Sequence, residues 1–255
     1  MGTADARHGG KLQPRFHLHR RRFHAALQRL RDRHRLQVRR HAARHRPLLN
    51  RTLERDGKLD TLAVVKFHNG DHIGTTFENG YSSTIKEDQP WFAEMAIGDW
   101  FWRPGISYDT GGAIVQCLLE AISRDGAMMV NIPNRPDGSL DSGATNMLQG
   151  VGQWMAVNSE GIYGNRAWVT PTDGNFRFTV GTNGCLYAYY LGIPAGGTQL
   201  TIPSLATTSN LLVGAIGSVS LLGSASALSW SQTSTGLVVT LPQQCPACRR
   251  ARRLV

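Results

Sequence analysis

Near Pro171 the periodicity of the chain changes, and no single architecture accommodates both sides of the change. Before it, strand-like and helix-like runs alternate. LAVVKFH (62–68) is a β-branched apolar run that predicts a buried strand, and Asp71 to Trp91 is Gly- and Thr-rich and reads as a long loop. AIVQCLLEAIS (113–123) sets Ile114, Val115, Leu118, Leu119 and Ile122 on one helical face, with Gly126 as the stop. AMMVNI (127–132) predicts a continuous buried strand ended by Pro133, and PNRPDG is turn chemistry. A second helix is expected after a cap at Ser139 or Asp141, with Met147, Leu148, Val151 and Met155 on its apolar face. Strand–helix alternation of this kind suits part of a parallel barrel. After Pro171 the text becomes NFRFTV, CLYAYYLGI, TQLTIPSL, AIGSVSLLG, ALSWSQT and GLVVTLP, short β-rich runs split by Gly, Asn and Ser. That spacing is a sandwich pattern. The expected fold class is α/β: a partial (β/α) TIM-like barrel over 48–170, followed by an all-β sandwich over 176–242.

Charge divides the chain differently. Residues 1–47 carry 13 Arg and one Lys against two Asp, and 249–253 add four Arg. The body between is mildly acidic, so the formal charge of +10 belongs to the ends. Clustered Arg can release phosphate counterions, but no zinc-finger, RRM or zipper pattern stands beside it, and no nucleic-acid partner is expected. The segment 1–47 is expected to be a disordered tail or a stretch translated from a wrong start or frame, and 243–255 a second basic tail. All nine His fall at or before position 72, so CPAC (245–248) lacks the further ligands a zinc site needs. No metal and no cofactor are expected. No run of 18 apolar residues predicts a membrane span, and the N-terminus shows no signal-peptide core. Neither the compartment nor the oligomeric state is legible.

In a parallel barrel, functional groups gather at the C-terminal ends of strands. The loop after LAVVKFH holds Asp71, His72 and Glu78, and Glu87, Asp88, Glu94 and Asp99 follow. Two carboxyl groups can share acid and base roles, with one kept protonated by burial and aromatic walls. Glu78, between Phe77 and Tyr81, suits the acid. Trp91, Trp100 and Trp102 offer faces for sugar C–H surfaces, and His68 and His72 offer hydrogen-bond donors. Packing is the competing role for each ring.

Four blocks then point to a family. They are GDHIGTTFENGY (70–81), PWFAEMAIGDWFWRPG (90–105), DGAMMVNIPNRPDGSLD (125–141) and GQWMAVNSEGIYGNRAW (152–168). In that order they resemble the later part of α-L-fucosidases of glycoside hydrolase family 29. LYAYYLGIP, SVSLLGS, LSWSQ and GLVVTLP are similar to the C-terminal β-sandwich of the same family. The resemblance spans about 50–242. It implies a retaining exo-glycosidase that removes terminal α-L-fucose from glycans, with an Asp nucleophile and a Glu acid/base. Gly70-Asp71 through Thr76-Phe77-Glu78 looks like the family's Gly-Asp…Thr-x-Glu segment, which carries the acid/base role onto Glu78. Lys66 falls where the family has an Arg sugar contact. Family members are often secreted, periplasmic or lysosomal.

The family nucleophile follows an apolar strand in a Trp-Phe-Asp-Gly-like motif, and residues 1–47 contain neither. Their only carboxylates are Asp5 and Asp32. At most three barrel strands are expected, too few to close an eight-stranded barrel. The expectation is therefore a truncated or mis-started fucosidase, inactive alone. The alternatives are a non-catalytic carbohydrate-binding fragment, with the sandwich as a module, and a basic-tailed nucleic-acid binder.

Overall fold

The structure, a computed structural model, describes residues 75–85, 90–212 and 214–243, parts of 47–57, and the backbone of Val65–Lys66. The basic segment 1–46, His68, His72 and CPAC lie outside the described residues. The chain divides into two units, Met1–Thr61 and Leu62–Val255. In the first, 53–56 is helical, and the Gly57 N–H (φ 68°) donates to the Leu53 carbonyl at 2.9 Å.

The second unit opens with a parallel sheet ordered β1 (Val65–Lys66), β2 (Thr75–Glu78), β3 (Trp91–Ala96), β4 (Ala127–Asn131). Four parallel strands stand where at most three were expected. The extra one, β2, falls in the stretch read as loop. It is only four residues long, and its flanking Gly and Asn hid it. The register pairs Phe77 with Ala93 and Ala93 with Met128. In-register neighbours share a face. These three side chains, with Trp91, pack on Cys117 and Ala121 of helix α1 (Gly111–Ile122). Sequence reasoning had β4 buried on both faces. Here it is an edge strand with one face packed, through Met128 and Val130, while Met129 on the other is 37% exposed.

Helix α1 starts at Thr110, whose side chain accepts from the Ala113 N–H. It ends with the Gly126 N–H on the Ala121 carbonyl (2.9 Å) and the Asp125 N–H on that of Ile122 (3.2 Å). This is a Schellman ending. Its left-handed residue is Asp125 (φ 63°), not the expected Gly126. Gly126 is needed for space instead: a Cβ there would lie 2.4 Å from the Trp91 ring. Helix α2 (Ser142–Asn158) is capped by Asp141, which accepts from the Ala144 N–H at 3.1 Å.

The rest is two antiparallel sheets. One is ordered β5 (Arg166–Asp173), β6 (Phe176–Val180), β7 (Leu186–Tyr190); the other β8 (Gln199–Ile202), β10 (Gly236–Thr240), β9 (Ser229–Thr233). Trp168, Phe176, Phe178, Ile202, Leu237 and Val239 form their common core. Pairing begins at Arg166, just before the change in composition. AIGSVSLLG (215–223) forms no strand. Its Ile216 and Val219 dock on the core by side chain, in a run broken by Gly and Ser.

The sandwich does not stand apart from the sheet and helices. Tyr187 and Tyr189 of β7 share a buried cluster with Val115 and Leu119 of α1 and Trp154 of α2. The Thr179 hydroxyl donates to the Gly161 carbonyl at 2.8 Å, and a Cβ on Gly161 would lie 2.1 Å from the Tyr189 hydroxyl oxygen. Arg177 of β6 grips Glu120 of α1 through Nε (2.7 Å) and Nη2 (2.6 Å), and Arg124 adds a third bond at 2.6 Å. Burial alone would push the Glu120 carboxyl up. The Arg177 and Arg124 guanidiniums outweigh burial and hold it below its ordinary value.

Removing one member of a buried ion cluster leaves the others uncompensated. Arg177→Ala is therefore expected to cost about 3–5 kcal/mol in urea unfolding. Because the folded carboxyl is depressed, the cluster stabilises fully above the unfolded carboxyl's pKa, about 4.3. That contribution is lost as pH falls through the lower folded value. Glu120→Gln should abolish this acid-side step in a stability–pH profile; an unchanged step would place its origin elsewhere.

Candidate active site at the C-terminal edge of the parallel sheet

Strands β2, β3 and β4 run the same way, so their C-terminal ends and following loops meet along one edge. Glu78 is the last residue of β2 and registers with Glu94 of β3. As in-register neighbours their side chains rise from the same face, the one turned away from α1. Adjacent strands lie about 4.8 Å apart. Glu78 is exposed and Glu94 half-buried. Directly after Glu78 the chain turns left-handed at Asn79 (φ 52°), whose N–H donates to the Glu94 carbonyl at 2.7 Å. Glu78 thus sits at a strand tip, not in a loop.

The aromatic walls expected around Glu78 are elsewhere. Phe77 points to the opposite face by strand alternation and meets Trp91 edge-on, with centroids 5.3 Å apart. The Tyr81 ring lies beside the Arg124 guanidinium. Trp91 also leaves the candidate set. It is 1% exposed, its indole N–H donates to the Arg124 carbonyl at 3.1 Å, and it starts β3, at the end away from Glu78. Its ring is a core member with no open face for a sugar. Lys66 ends β1, its backbone in register with Thr76.

Trp100 and Trp102 lie in the loop after β3, at the same edge as Glu78. Asn131, the last residue of β4, donates from Nδ2 to the Trp100 carbonyl at 3.0 Å. Asp99 accepts from the Trp100 N–H (2.7 Å) and from Arg103 Nε (3.2 Å). Asp141 accepts from the Trp102 indole (3.2 Å) and the Tyr108 hydroxyl (2.7 Å) while capping α2. The next loop repeats the pattern: Asp137 accepts from the Ser139 N–H and hydroxyl.

Each of these Asp residues is an acceptor by geometry, and its carboxyl is held below the usual range. Asp99 is held by the Trp100 N–H and then Arg103. Asp137 is held by Ser139, and Asp141 by the Ala144 N–H and then the Tyr108 hydroxyl. They stay ionised at neutral pH and are poor proton donors. Nothing local in the sequence marks Asn131 and Asp141 as loop anchors. Glu94 is legible as Glu78's neighbour only once β2 is known to be a strand. Among the described residues no group of three His, Cys, Asp or Glu could hold a metal ion. No helix among them is long and apolar enough to cross a membrane.

Comparison with known proteins gives this edge its context. A family model described as alpha-L-fucosidase matches residues 37–160, and one described as alpha-L-fucosidase C-terminal domain matches 171–252. Together they take in most of the chain, including the end of the basic segment and CPAC, which composition alone had set aside as tails. The chain belongs to the α-L-fucosidases of glycoside hydrolase family 29, as a counterpart of their C-terminal part. The tissue alpha-L-fucosidase of Mus musculus is 26% identical over 187 residues, covering 70% of this chain and 39% of the relative. The plasma alpha-L-fucosidase of Homo sapiens is 32% identical over 152 residues, covering 56% and 31%. Among solved structures, alpha-L-fucosidase isoenzyme 1 from Paenibacillus thiaminolyticus superposes with a TM-score of 0.55 at 22% identity, covering 71% of this chain and 44% of that one. The Thermotoga maritima alpha-fucosidase gives 0.56 at 20%, covering 72% and 41%. This chain therefore spans well under half of the relatives it matches, and the structural likeness establishes a shared fold.

Asp141 supports the loop and the helix together. Asp141→Ala should cost about 1 kcal/mol as a lost cap, and should also red-shift tryptophan fluorescence as Trp102 loses its acceptor. Tyr108→Phe keeps the cap and should leave the spectrum in place. Equal red shifts in both variants would show that the loop is not held through Asp141.

Proposed function

We propose that this chain carries the proton-donor half of a retaining α-L-fucosidase site, with Glu78 as general acid/base. The observation that carries the reading is the placement of Glu78 at a C-terminal strand tip in the family-matched segment, where nearby Asp residues are committed as acceptors. In this role Glu78 protonates the glycosidic oxygen as the bond to fucose breaks, then takes a proton from the water that releases the sugar. The parallel sheet is read as four strands of a (β/α) barrel whose interior face bears Glu78 and Glu94. Lys66, His72, Trp100 and Trp102 are proposed sugar contacts, and the substrate is a fucosylated oligosaccharide or glycoconjugate. No cofactor enters the scheme, and no nucleic-acid partner is assigned to the basic ends.

The scheme also needs a nucleophilic Asp. No Trp-Phe-Asp-Gly-like motif occurs in these 255 residues. We infer that the chain alone does not complete the two-carboxylate pair. The sandwich is read as a buttress: a module with its own ligand would not be expected to commit Tyr187 and Tyr189 to a core shared with α1 and α2.

The purified chain is expected to release no nitrophenol from an aryl α-L-fucoside. Free fucose should still shift the amide resonances of residues 78, 94 and 131, less so in Glu78→Gln. Turnover abolished by Glu78→Gln would keep the acid/base assignment and overturn the missing nucleophile. Loss on Glu94→Gln as well would make Glu94 the second carboxylate. Turnover indifferent to Glu78→Gln would sink the assignment itself.

A further inference from the structure

We propose that Asn79–Gly80 is a self-modification site, where spontaneous loss of the Asn79 side-chain amide places a new carboxylate beside Glu78. The reaction follows from the chemistry of the turn itself; its consequence rests on the acid/base reading of Glu78 above. Asn is a thermolabile residue. It is most exposed to self-attack before Gly, whose missing Cβ leaves the next backbone nitrogen unshielded. Three Asn-Gly pairs occur in the chain, at 69–70, 79–80 and 183–184. The first lies outside the described residues.

The other two are both exposed, and they differ in how the amide is held. Asn183 donates from Nδ2 to the Tyr187 hydroxyl and accepts at Oδ1 from the Cys185 N–H, each at 3.0 Å. The Gly184 N–H is engaged too, on the Gly181 carbonyl at 3.0 Å. The Asn183 amide cannot turn toward the Gly184 nitrogen without breaking these bonds. Asn79 is held through its backbone N–H, on the Glu94 carbonyl at 2.7 Å. Among the described residues nothing ties its side-chain amide down.

The step balances with water as its only co-reactant. The Gly80 N–H loses its proton to base in solution, and the nitrogen bonds to Asn79 Cγ. The Cγ–Nδ2 bond breaks, and Nδ2 takes up a proton and leaves as ammonia. Water then opens the cyclic imide at either carbonyl. Opening at Cγ leaves an ordinary aspartate; opening at the main-chain carbonyl leaves isoaspartate, with a backbone one carbon longer. The Asn79 N–H and the Gly80 bridge both pair with Glu94, on either side of the modified link. Lengthening that link works against keeping both, so the tip that carries Glu78 shifts against Glu94. The aspartate product keeps the chain path and adds a negative charge beside the acid, where like charges favour a retained proton.

Peptide mapping by mass spectrometry on the full chain, aged in warm, mildly alkaline buffer, tests the site. Asn79 should show the mass gain of deamidation well ahead of Asn183, with isoaspartate detected by isoaspartyl-specific methylation. Gly80→Ala should slow the gain about tenfold, a barrier rise of about 1.4 kcal/mol. That variant should fold normally, because a Cβ on Gly80 would meet nothing nearer than the Glu78 carbonyl oxygen at 3.9 Å. Asn79→Gly should abolish the reaction while keeping the left-handed turn. The aged chain should then lose most of its fucose-induced shift at residue 94, and aged Asn79→Gly should keep it. Equal rates at 79 and 183 would overturn the site. So would an Asn79 that stays intact in the folded chain while a short peptide of the same sequence deamidates. Deamidation that leaves the fucose response untouched would overturn the link to Glu78. A fucose response missing even from fresh chain would count against the acid/base reading, and the mass map would still decide the modification.

Discussion

The buried grip of Arg177 on Glu120 is the interaction on which the rest of this unit depends. A carboxylate 2% exposed in a helix is costly unless several charged donors satisfy it. Here one donor, Arg124, comes from the same helix, and the others come from the first antiparallel sheet. The helix can bury its face, and Glu120 with it, only when β6 is in place. Helix α1 covers one face of the parallel sheet. Its position in turn settles how the β3 and β4 tips, and the loops beyond them, are presented.

A second pair of bonds reinforces the first. Asp125 accepts from the Ala167 N–H (2.9 Å) and from Arg166 Nη2 (2.8 Å), tying the end of α1 to the start of β5. A cavity of about 1380 Å³ lies between α1, β7 and the irregular run through Leu222. Its lining includes neither Glu78 nor Glu94. Its walls are mainly the apolar flanks of the sandwich, with no convergent acid/base pair. The carboxylates Glu78 and Glu94 are at the strand tips instead.

Much of this arrangement was legible in the sequence wherever one physical signal dominated. The helical faces of 113–123 and 142–158, the strand at Ala127 and most sandwich strands follow from periodicity and turn residues. What was missed depended on distance in space. β2 is a four-residue strand among Gly and Asn, and it becomes a strand because β3 accepts it. Trp91 reads as a sugar platform in sequence and as core in space, since only the fold shows Gly126 making room for its ring. Glu120 and Arg177 are 57 positions apart, and nothing local marks them as partners. Resemblance points to Glu78, but the walls expected of Phe77 and Tyr81 do not form there: Phe77 packs on Trp91 and Tyr81 lies by Arg124. Strand alternation sends Phe77 to the other face.

The left-handed turn at Asp125 carries a consequence beyond helix termination. Asn, Asp and Gly tolerate that conformation most readily. Among them, only Asp brings a carboxylate to receive Arg166 and the Ala167 N–H. The side chain that ends one element therefore sets the starting register of the next. A lineage exchanging this sandwich for another would have to replace Asp125, Glu120 and the glycine at 161 in the same event. The joint ties the two halves through side chains that serve both, although their textures in sequence look like separable parts.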